Sequence, residues 1–195
     1  QSDPKKAVNL TNKMILRDKV FCFVYNMGSA TGLATLPIVT KHKVPFLFPL
    51  SAHNRFYEPL NRYSFQESTP YQLQAGVAAK YAVENLGAKK IGLLYQDDEF
   101  GALIMQGIED QLAKYDMKLV AAESFKSGAT DFSTQIAKLK KADIDFLVLG
   151  TVIRETVGAI KEAKKLSWDV PMITLASAIT KYVPFLAGKA GFSID

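Results

Sequence analysis

The sequence predicts an α/β fold built on parallel β-sheets, and three observations support this prediction. Short apolar segments rich in β-branched and aromatic residues alternate with longer segments that carry apolar residues at helical spacing. The short segments are continuously apolar, which is typical of strands buried on both faces. Capping residues, glycine and proline stand at the borders between the two kinds of segment. Together these features favour helices packed on both faces of a sheet.

The predicted strands recur along the whole chain. They cover residues 20–25, 45–48, 91–95, 118–123, 146–149 and 172–175. A shorter strand over 62–66 is expected to leave the first sheet and to lead into a second unit.

Segments with apolar residues at helical spacing lie between these strands. They predict helices over 4–16, 31–41, 71–86, 100–115, 131–141, 154–166 and 179–187. The first helix has a clear start, because Asp3 places a capping acceptor before Pro4 at the first helical position.

The stretch 51–70 interrupts the alternation. It is rich in polar and aromatic residues and ends at Thr69-Pro70. The part of the chain after it supplies enough helices and strands for a doubly wound unit, whereas the part before it supplies only two or three strands. We therefore expect a partial N-terminal lobe over 1–69 and most of a C-terminal lobe over 70–195.

Composition narrows the classes of function. The 195 residues are 48% hydrophobic and 22% charged, an ordinary globular balance. The net charge is +5, but no basic stripe is interleaved with aromatic residues, so we expect no nucleic-acid partner. No apolar run approaches the ~20 residues that cross a bilayer. Cys22, the only cysteine, lies in an apolar run and is expected to be buried and inert.

Signatures of catalysis are missing from the sequence. It contains no G-x-G-x-x-G after a strand, no Walker P-loop and no G-x-S-x-G elbow. Nothing places His42 or His53 beside an exposed serine, as a Ser-His-acid triad requires. Asp97, Asp98 and Glu99 suggest a hard-cation site, but partners for the positive end of a helix are the favoured interpretation. We expect no catalytic residue, no cofactor and no metal.

Small polar residues follow the predicted strands, where ligands bind in open α/β sheets. In the first such loop Gly28 permits a tight turn, Ser29 and Thr31 offer hydroxyls, and N–H groups at the helix start favour a carboxylate. Helix capping by Ser29 alone is the alternative. Further loops of this kind are 49–52, 96–101, 150–154 and 176–177. The set predicts a ligand clamp that closes between two lobes.

A series of short motifs runs through the chain. They are Asp3-Pro4-x-x-Ala7-Val8, Asp18-Lys19-Val20, Gly28-Ser29-Ala30-Thr31, Val44-Pro45-x-x-x-Pro49-x-Ser51, Ala79-Lys80-Tyr81, Tyr95-Gln96-Asp97-Asp98-x-Phe100-Gly101, Asp131-Phe132-Ser133 and Ile144-Asp145-Phe146 followed by Gly150. In these motifs the chain resembles the periplasmic substrate-binding proteins of branched-chain amino-acid-type ABC transporters. The resemblance implies a type I periplasmic-binding-protein fold with two doubly wound parallel-sheet lobes, the first incomplete in this chain.

The resemblance also implies which residues surround a ligand. They are Ser29, Ala30, Thr31, Ser51, Ala52, Tyr95, Phe100, Thr151, Val152, Arg154 and Ala176. Residues 29–31 would hold a carboxylate through hydroxyl and backbone N–H groups. Phe100 takes the place of a ring that closes over the ligand, and Thr151, Val152 and Arg154 would belong to the opposing lobe.

One position departs from the family pattern. Ala176 or Ser177 stands where amino-acid-binding members place a carboxylate that pairs with the ligand ammonium. Because a buried ammonium without a counter-charge is costly, the hypothesis is an aromatic or aliphatic acid without an α-amine. An amino acid is the alternative. Arg154 is expected either to pair with a second acidic group of the ligand or to be solvated at the start of its helix.

The resemblance implies the extracytoplasmic solute-binding component of an ABC importer. Its partners would be a small organic acid or amino acid and an ABC permease in the membrane. Its location would be periplasmic, or extracellular and membrane-tethered in a Gram-positive source. A ligand-sensing receptor domain of the same fold is the alternative function, and an enzyme on a doubly wound scaffold is a third.

Overall fold

The computed structural model describes residues 3–180 and 182–188. Its helices are α1 (Pro4–Leu16), α2 (Ser29–Lys41), α3 (Tyr71–Leu86), α4 (Glu99–Leu112), α5 (Ser133–Lys141), α6 (Ile153–Lys165) and α7 (Tyr182–Ala187). Its strands are β1 (Phe23–Val24), β2 (Phe46–Leu47), β3 (Ser64–Phe65), β4 (Ile91–Gln96), β5 (Ala121–Phe125), β6 (Phe146–Gly150) and β7 (Met172–Thr174). All strand pairs are parallel, which confirms the predicted α/β class.

The chain divides into two compact units, Gln1–Tyr71 and Gln72–Asp195. The division falls two residues after the boundary predicted between residues 69 and 70. Helix α1 begins where the sequence predicts. A side-chain oxygen of Asp3 accepts a hydrogen bond from the backbone N–H of Lys6 at 3.1 Å and caps the helix.

The first unit contains a three-stranded sheet in the order β1-β2-β3. Phe23, Phe46 and Ser64 lie side by side on one face and are buried under α1 and α2. On the other face Val24 and Phe65 are about half exposed. The prediction that strands are buried on both faces is therefore wrong for these two edge strands. The physical reason is that the described helices of this unit pack on one face only.

Three local predictions for the first unit need correction. The strand predicted over 62–66 does not leave the first sheet, because β3 pairs with β2 as its third strand. The strand predicted over 20–25 is two residues long, and it ends before Tyr25, which adopts a left-handed backbone with φ of 55°. Cys22 precedes that strand and is only partly buried.

The second unit contains a four-stranded sheet in the order β5-β4-β6-β7. The central strand β6 is buried along its whole length, as a continuous apolar run predicts. Helices α5, α6 and α7 contribute to the core cluster that includes Leu147 and Leu149, and α4 packs on β4 and β6. The strand predicted over 118–123 is displaced and spans Ala121–Phe125. Within each sheet all strands are parallel, so their carboxyl ends lie along the same edge of that sheet. The residues predicted to bind a ligand lie at or after these carboxyl ends.

Candidate ligand-binding site

The two segments that follow β1 and β2 run side by side. The backbone N–H of Leu50 donates to the carbonyl oxygen of Asn26 at 2.8 Å, and that of Gly28 donates to Leu50 at 3.3 Å. Met27 and Leu50 form an isolated parallel bridge between these bonds. This alignment extends the sheet past its last strand residues and brings the starts of the two predicted loops together.

Ser29 and Ser51 meet at the end of this alignment. Their hydroxyl oxygens are 2.8 Å apart, and the residues are only 5% and 3% exposed. Two hydroxyls carry two hydrogens, and one of these forms the bond between them. The second hydrogen stays available as a donor at the amino-terminal end of α2.

Helix α2 begins without a side-chain cap. Gly28 is its N-cap residue with φ of 94°, a conformation that L side chains rarely adopt, and no side chain accepts a hydrogen bond there. The first N–H groups of a helix have no acceptor within the helix, so Ser29, Ala30 and Thr31 present backbone donors. Ser29 lies inside the helix, so the alternative that it acts only as the cap is wrong. A carboxylate is the chemical group that such a helix end binds.

Thr31 and Ala52 have local roles in the structure. The Thr31 hydroxyl donates to the carbonyl oxygens of Met27 at 2.5 Å and Gly28 at 3.1 Å, so its hydrogen is already used. Ala52 is buried, and its carbonyl oxygen accepts from the backbone N–H of Tyr71 at 2.8 Å. The Thr31 hydroxyl is therefore occupied, and its backbone N–H remains suited to an anion.

Exposed apolar side chains flank this helix start, and sequence analysis missed them. Tyr25, Met27, Phe48 and Leu50 are all exposed and follow β1 or β2 along the chain. Tyr25 and Phe48 have φ of 55° and 51°. A left-handed backbone costs roughly 1–2 kcal/mol in a residue with a side chain. The signal in the sequence was the presence of large apolar residues among the small polar ones of the two loops.

Tyr95, Asp98 and Phe100 lie at the corner between β4 and α4. Tyr95 is the penultimate residue of β4 and Phe100 is buried in the first turn of α4. A side-chain oxygen of Asp98 caps that turn by accepting from the backbone N–H groups of Phe100 at 3.0 Å and Gly101 at 3.3 Å. This confirms that Asp98 partners a helix start.

Burial raises the pKa of the Asp98 carboxyl above its usual value. The hydrogen bonds from Gln96, Gly101 and Phe100 act in the opposite direction, and burial outweighs them. The neighbouring Asp97 is paired with Lys126. Both carboxylates thus have partners within the protein.

Hydroxyl groups cluster at the end of β6. The Oγ1 atoms of Thr151 and Thr156 are 2.5 Å apart, and both residues are buried. The Ser177 hydroxyl donates to the carbonyl oxygen of Thr151 at 2.9 Å and ties the loop after β7 to the loop after β6. Val152, the N-cap residue of α6, is exposed.

Arg154 is paired with a carboxylate of the protein itself. Its guanidinium lies 2.6 Å from Oε1 of Glu155, whose side chain is 3% exposed, while the other oxygen of Glu155 is buried without a hydrogen-bond partner. Sequence analysis missed Glu155. It lies four residues before the buried Ala159 and therefore on the inner face of α6, which the structure and not the sequence identifies.

Ala176 is exposed at the end of β7, and its position offers no carboxylate. Its backbone N–H donates to the Oε1 atom of Gln74 on α3 at 3.0 Å. Gln74 is a further residue that was not among the predicted site residues. This hydrogen bond ties the loop after β7 to α3, although the two residues are 102 positions apart in the chain.

In the described part of the chain, residues 3–180 and 182–188, no three His, Cys, Asp or Glu side chains are grouped as metal ligands. None of its helices has both the length and the apolar character needed to cross a membrane.

The chain is similar in sequence or in structure to several known proteins. A Leu/Ile/Val-binding protein of Citrobacter freundii is 26% identical over 166 residues, which are 83% of this chain and 44% of that protein. A leucine binding protein from Thermotoga maritima has a TM-score of 0.88 at 20% identity, covering 97% of this chain and 54% of that one. An ABC-transporter solute binding protein from R. palustris, in complex with 4-hydroxybenzoate, has a TM-score of 0.83 at 18% identity, covering 96% of this chain and 52% of that one.

The chain thus spans about half the length of the relatives that it matches. The structural similarities confirm the predicted type I periplasmic-binding-protein fold. The match to binding proteins confirms, at the level of the family, the prediction of a binding protein and not of an enzyme. The family model described as "Periplasmic binding protein" matches residues 1–189, and the chain therefore belongs to the periplasmic binding protein family.

Proposed function

We propose that this chain is part of the solute-binding component of an ABC importer and that it binds a small carboxylic acid. The observation that carries the proposal is the uncapped start of α2 beside the Ser29–Ser51 hydroxyl pair. Backbone N–H groups and one hydroxyl hydrogen converge there, and the helix dipole favours negative charge.

An apolar body on the acid suits the surroundings of this helix start. Met27 and Leu50 are exposed immediately before the two serines and offer apolar contact to the rest of the ligand. Known relatives point to the same combination of groups. The Citrobacter freundii protein is named for leucine, isoleucine and valine, and the R. palustris protein was crystallised with 4-hydroxybenzoate. Each of these molecules joins a carboxylate to an apolar body.

Among the described residues of the second unit, neither Ala176 nor Glu155 offers a free carboxylate to an α-amine of the ligand. Ala176 supplies no carboxylate, and Glu155 is buried and paired with Arg154. The pairing also leaves Arg154 less suited to a second acidic group of the ligand. We therefore favour an aromatic or aliphatic monocarboxylate over an amino acid. The other predicted residues of the second unit, Tyr95, Phe100, Thr151 and Val152, remain predicted contacts.

Calorimetric titration of the full-length protein tests this proposal with ligand pairs that differ only in the α-amine. The pairs are 3-phenylpropionate against phenylalanine and 4-methylpentanoate against leucine. We expect each acid to bind at least about tenfold more tightly than its amino acid, a difference of about 1.4 kcal/mol. Tight binding of leucine without any response to the two acids would refute the ligand class.

A single substitution serves as the matched control. Ala176→Glu places a carboxylate where amino-acid-binding relatives are expected to have one, so it should raise the affinity for phenylalanine and leave that for 3-phenylpropionate equal or lower. The permease partner and a periplasmic, or extracellular and membrane-tethered, location belong to the same proposal. Loss of uptake of the bound acid in a strain that lacks the protein would support them.

A further inference from the structure

We propose that Tyr25 and Phe48 form an aromatic pair that receives the apolar body of the ligand and selects aromatic acids over aliphatic acids. This inference rests on the proposed function and specifies its ligand further. It is carried by the matching positions, the backbone conformation and the exposure of the two residues.

The aromatic pair occupies equivalent places on two neighbouring strands. Tyr25 follows β1 and Phe48 follows β2, and both have a left-handed backbone. The N–H of Tyr25 donates to Leu47 at 3.0 Å, and that of Phe48 donates to Phe65 at 2.7 Å. These bonds hold both backbones in place. The two ring centroids are 6.4 Å apart, with the ring planes tilted by 48°.

Packing of the unit does not account for this arrangement. Tyr25 is 51% exposed and Phe48 is 40% exposed, while Phe46 and Phe56 form a buried aromatic contact in the same unit. A large side chain at positive φ is a rare outlier, and such strain concentrates at binding sites. Two such outliers that leave apolar rings accessible at the carboxyl edge of a sheet point to a ligand contact.

The aromatic pair lies close in the chain to the carboxylate-binding end. Ser29 comes four positions after Tyr25, so the two Cα atoms are at most about 14 Å apart. Met27 and Leu50, which precede Ser29 and Ser51, are exposed apolar residues. Aromatic rings favour tilted or offset contact with another ring, which an aliphatic chain cannot reproduce.

The experiment compares 3-phenylpropionate with hexanoate, two monocarboxylates of equal charge, in Tyr25→Gly and Phe48→Gly variants of the full-length protein. Glycine adopts positive φ without strain, so the fold should be retained. We expect the affinity for 3-phenylpropionate to fall about tenfold and that for hexanoate to change less than about twofold. Tyr25→Asn, which also tolerates a left-handed backbone, replaces the glycine variant if the latter does not fold.

Phe21→Gly is the matched control, because Phe21 is an exposed aromatic residue that precedes β1 and lies away from the carboxyl edge. It should leave the ratio of the two affinities unchanged. An unchanged ratio in the Tyr25 and Phe48 variants, with normal binding of both acids, overturns the aromatic pair and leaves the proposed function intact. A lower melting temperature with an unchanged ratio assigns the rings to packing and also overturns it. Binding of neither acid by the unmodified protein overturns the proposed function itself.

Discussion

The hydroxyl oxygens of Ser29 and Ser51 lie 2.8 Å apart, although 22 positions separate the two residues in the chain. The bond joins the first residue of α2 to the loop after β2 and buries both groups. It exists because β1 and β2 are parallel and in register, so that the segments following them meet. This contact places the Ser51 hydroxyl beside the start of α2, where the candidate anion-binding groups lie.

Removing one hydroxyl of this pair should destabilise the protein. Ser51→Ala leaves the buried Ser29 hydroxyl without its partner and should lower the free energy of unfolding by about 1 kcal/mol. The double variant Ser29→Ala/Ser51→Ala should lose less than the sum of the two single variants. Urea unfolding measures all three. Ser64→Ala is the control, because the Ser64 hydroxyl is buried without a hydrogen-bond partner, so its loss should cost little.

The Arg154–Glu155 pair predicts a coupled response. Arg154→Ala leaves the buried Glu155 carboxylate without its cation and should lower the free energy of unfolding by about 1–3 kcal/mol. The same change in a Glu155→Gln background should cost much less, because no buried charge is left unpaired. Denaturant unfolding of the four proteins gives the coupling energy. Equal costs in the two backgrounds would show that the pair contributes nothing.

The stability contributed by Asp98 should depend on pH in an unusual direction for a carboxylate. Burial raises its pKa in the folded protein, so the folded state binds this proton more readily than the unfolded state. Its contribution is therefore fully present below the unfolded pKa and is lost as the pH rises through the folded pKa. Relative to Asp98→Asn, the unmodified protein should gain stability as the pH falls from 7 toward 4. A relative loss over that range would mean that the capping hydrogen bonds outweigh burial.

Helices α3 and α4 approach closely at Gly107. A Cβ atom there would lie 2.1 Å from the carbonyl oxygen of Gln72, so Gly107→Ala should destabilise the protein by about 1–3 kcal/mol. Gly76→Ala on the facing helix is the matched control, because its Cβ would be 3.4 Å from the nearest atom, an ordinary contact. It should be neutral, or stabilising by up to about 1 kcal/mol through helix propensity. Thermal unfolding distinguishes the two, and equal melting temperatures would contradict the close approach.

The sequence alone determined the class of the fold and most of its elements. Apolar spacing repeats within a few residues, so the helix over 4–16 and the buried strand β6 could be recognised locally. Capping is equally local, and Asp3 and Asp98 cap the helices that follow them. The family motifs then indicated that the strand-end loops carry the binding residues.

Only the tertiary structure decided how those residues are used. The Ser29–Ser51 bond and the contact between Gln74 and Ala176 join residues that are distant in the chain, and their distance depends on strand register and helix placement. The burial of Glu155 depends on which side of α6 packs against the core. The left-handed backbones of Tyr25 and Phe48 are held by hydrogen bonds to neighbouring strands, which no local pattern in the sequence specifies.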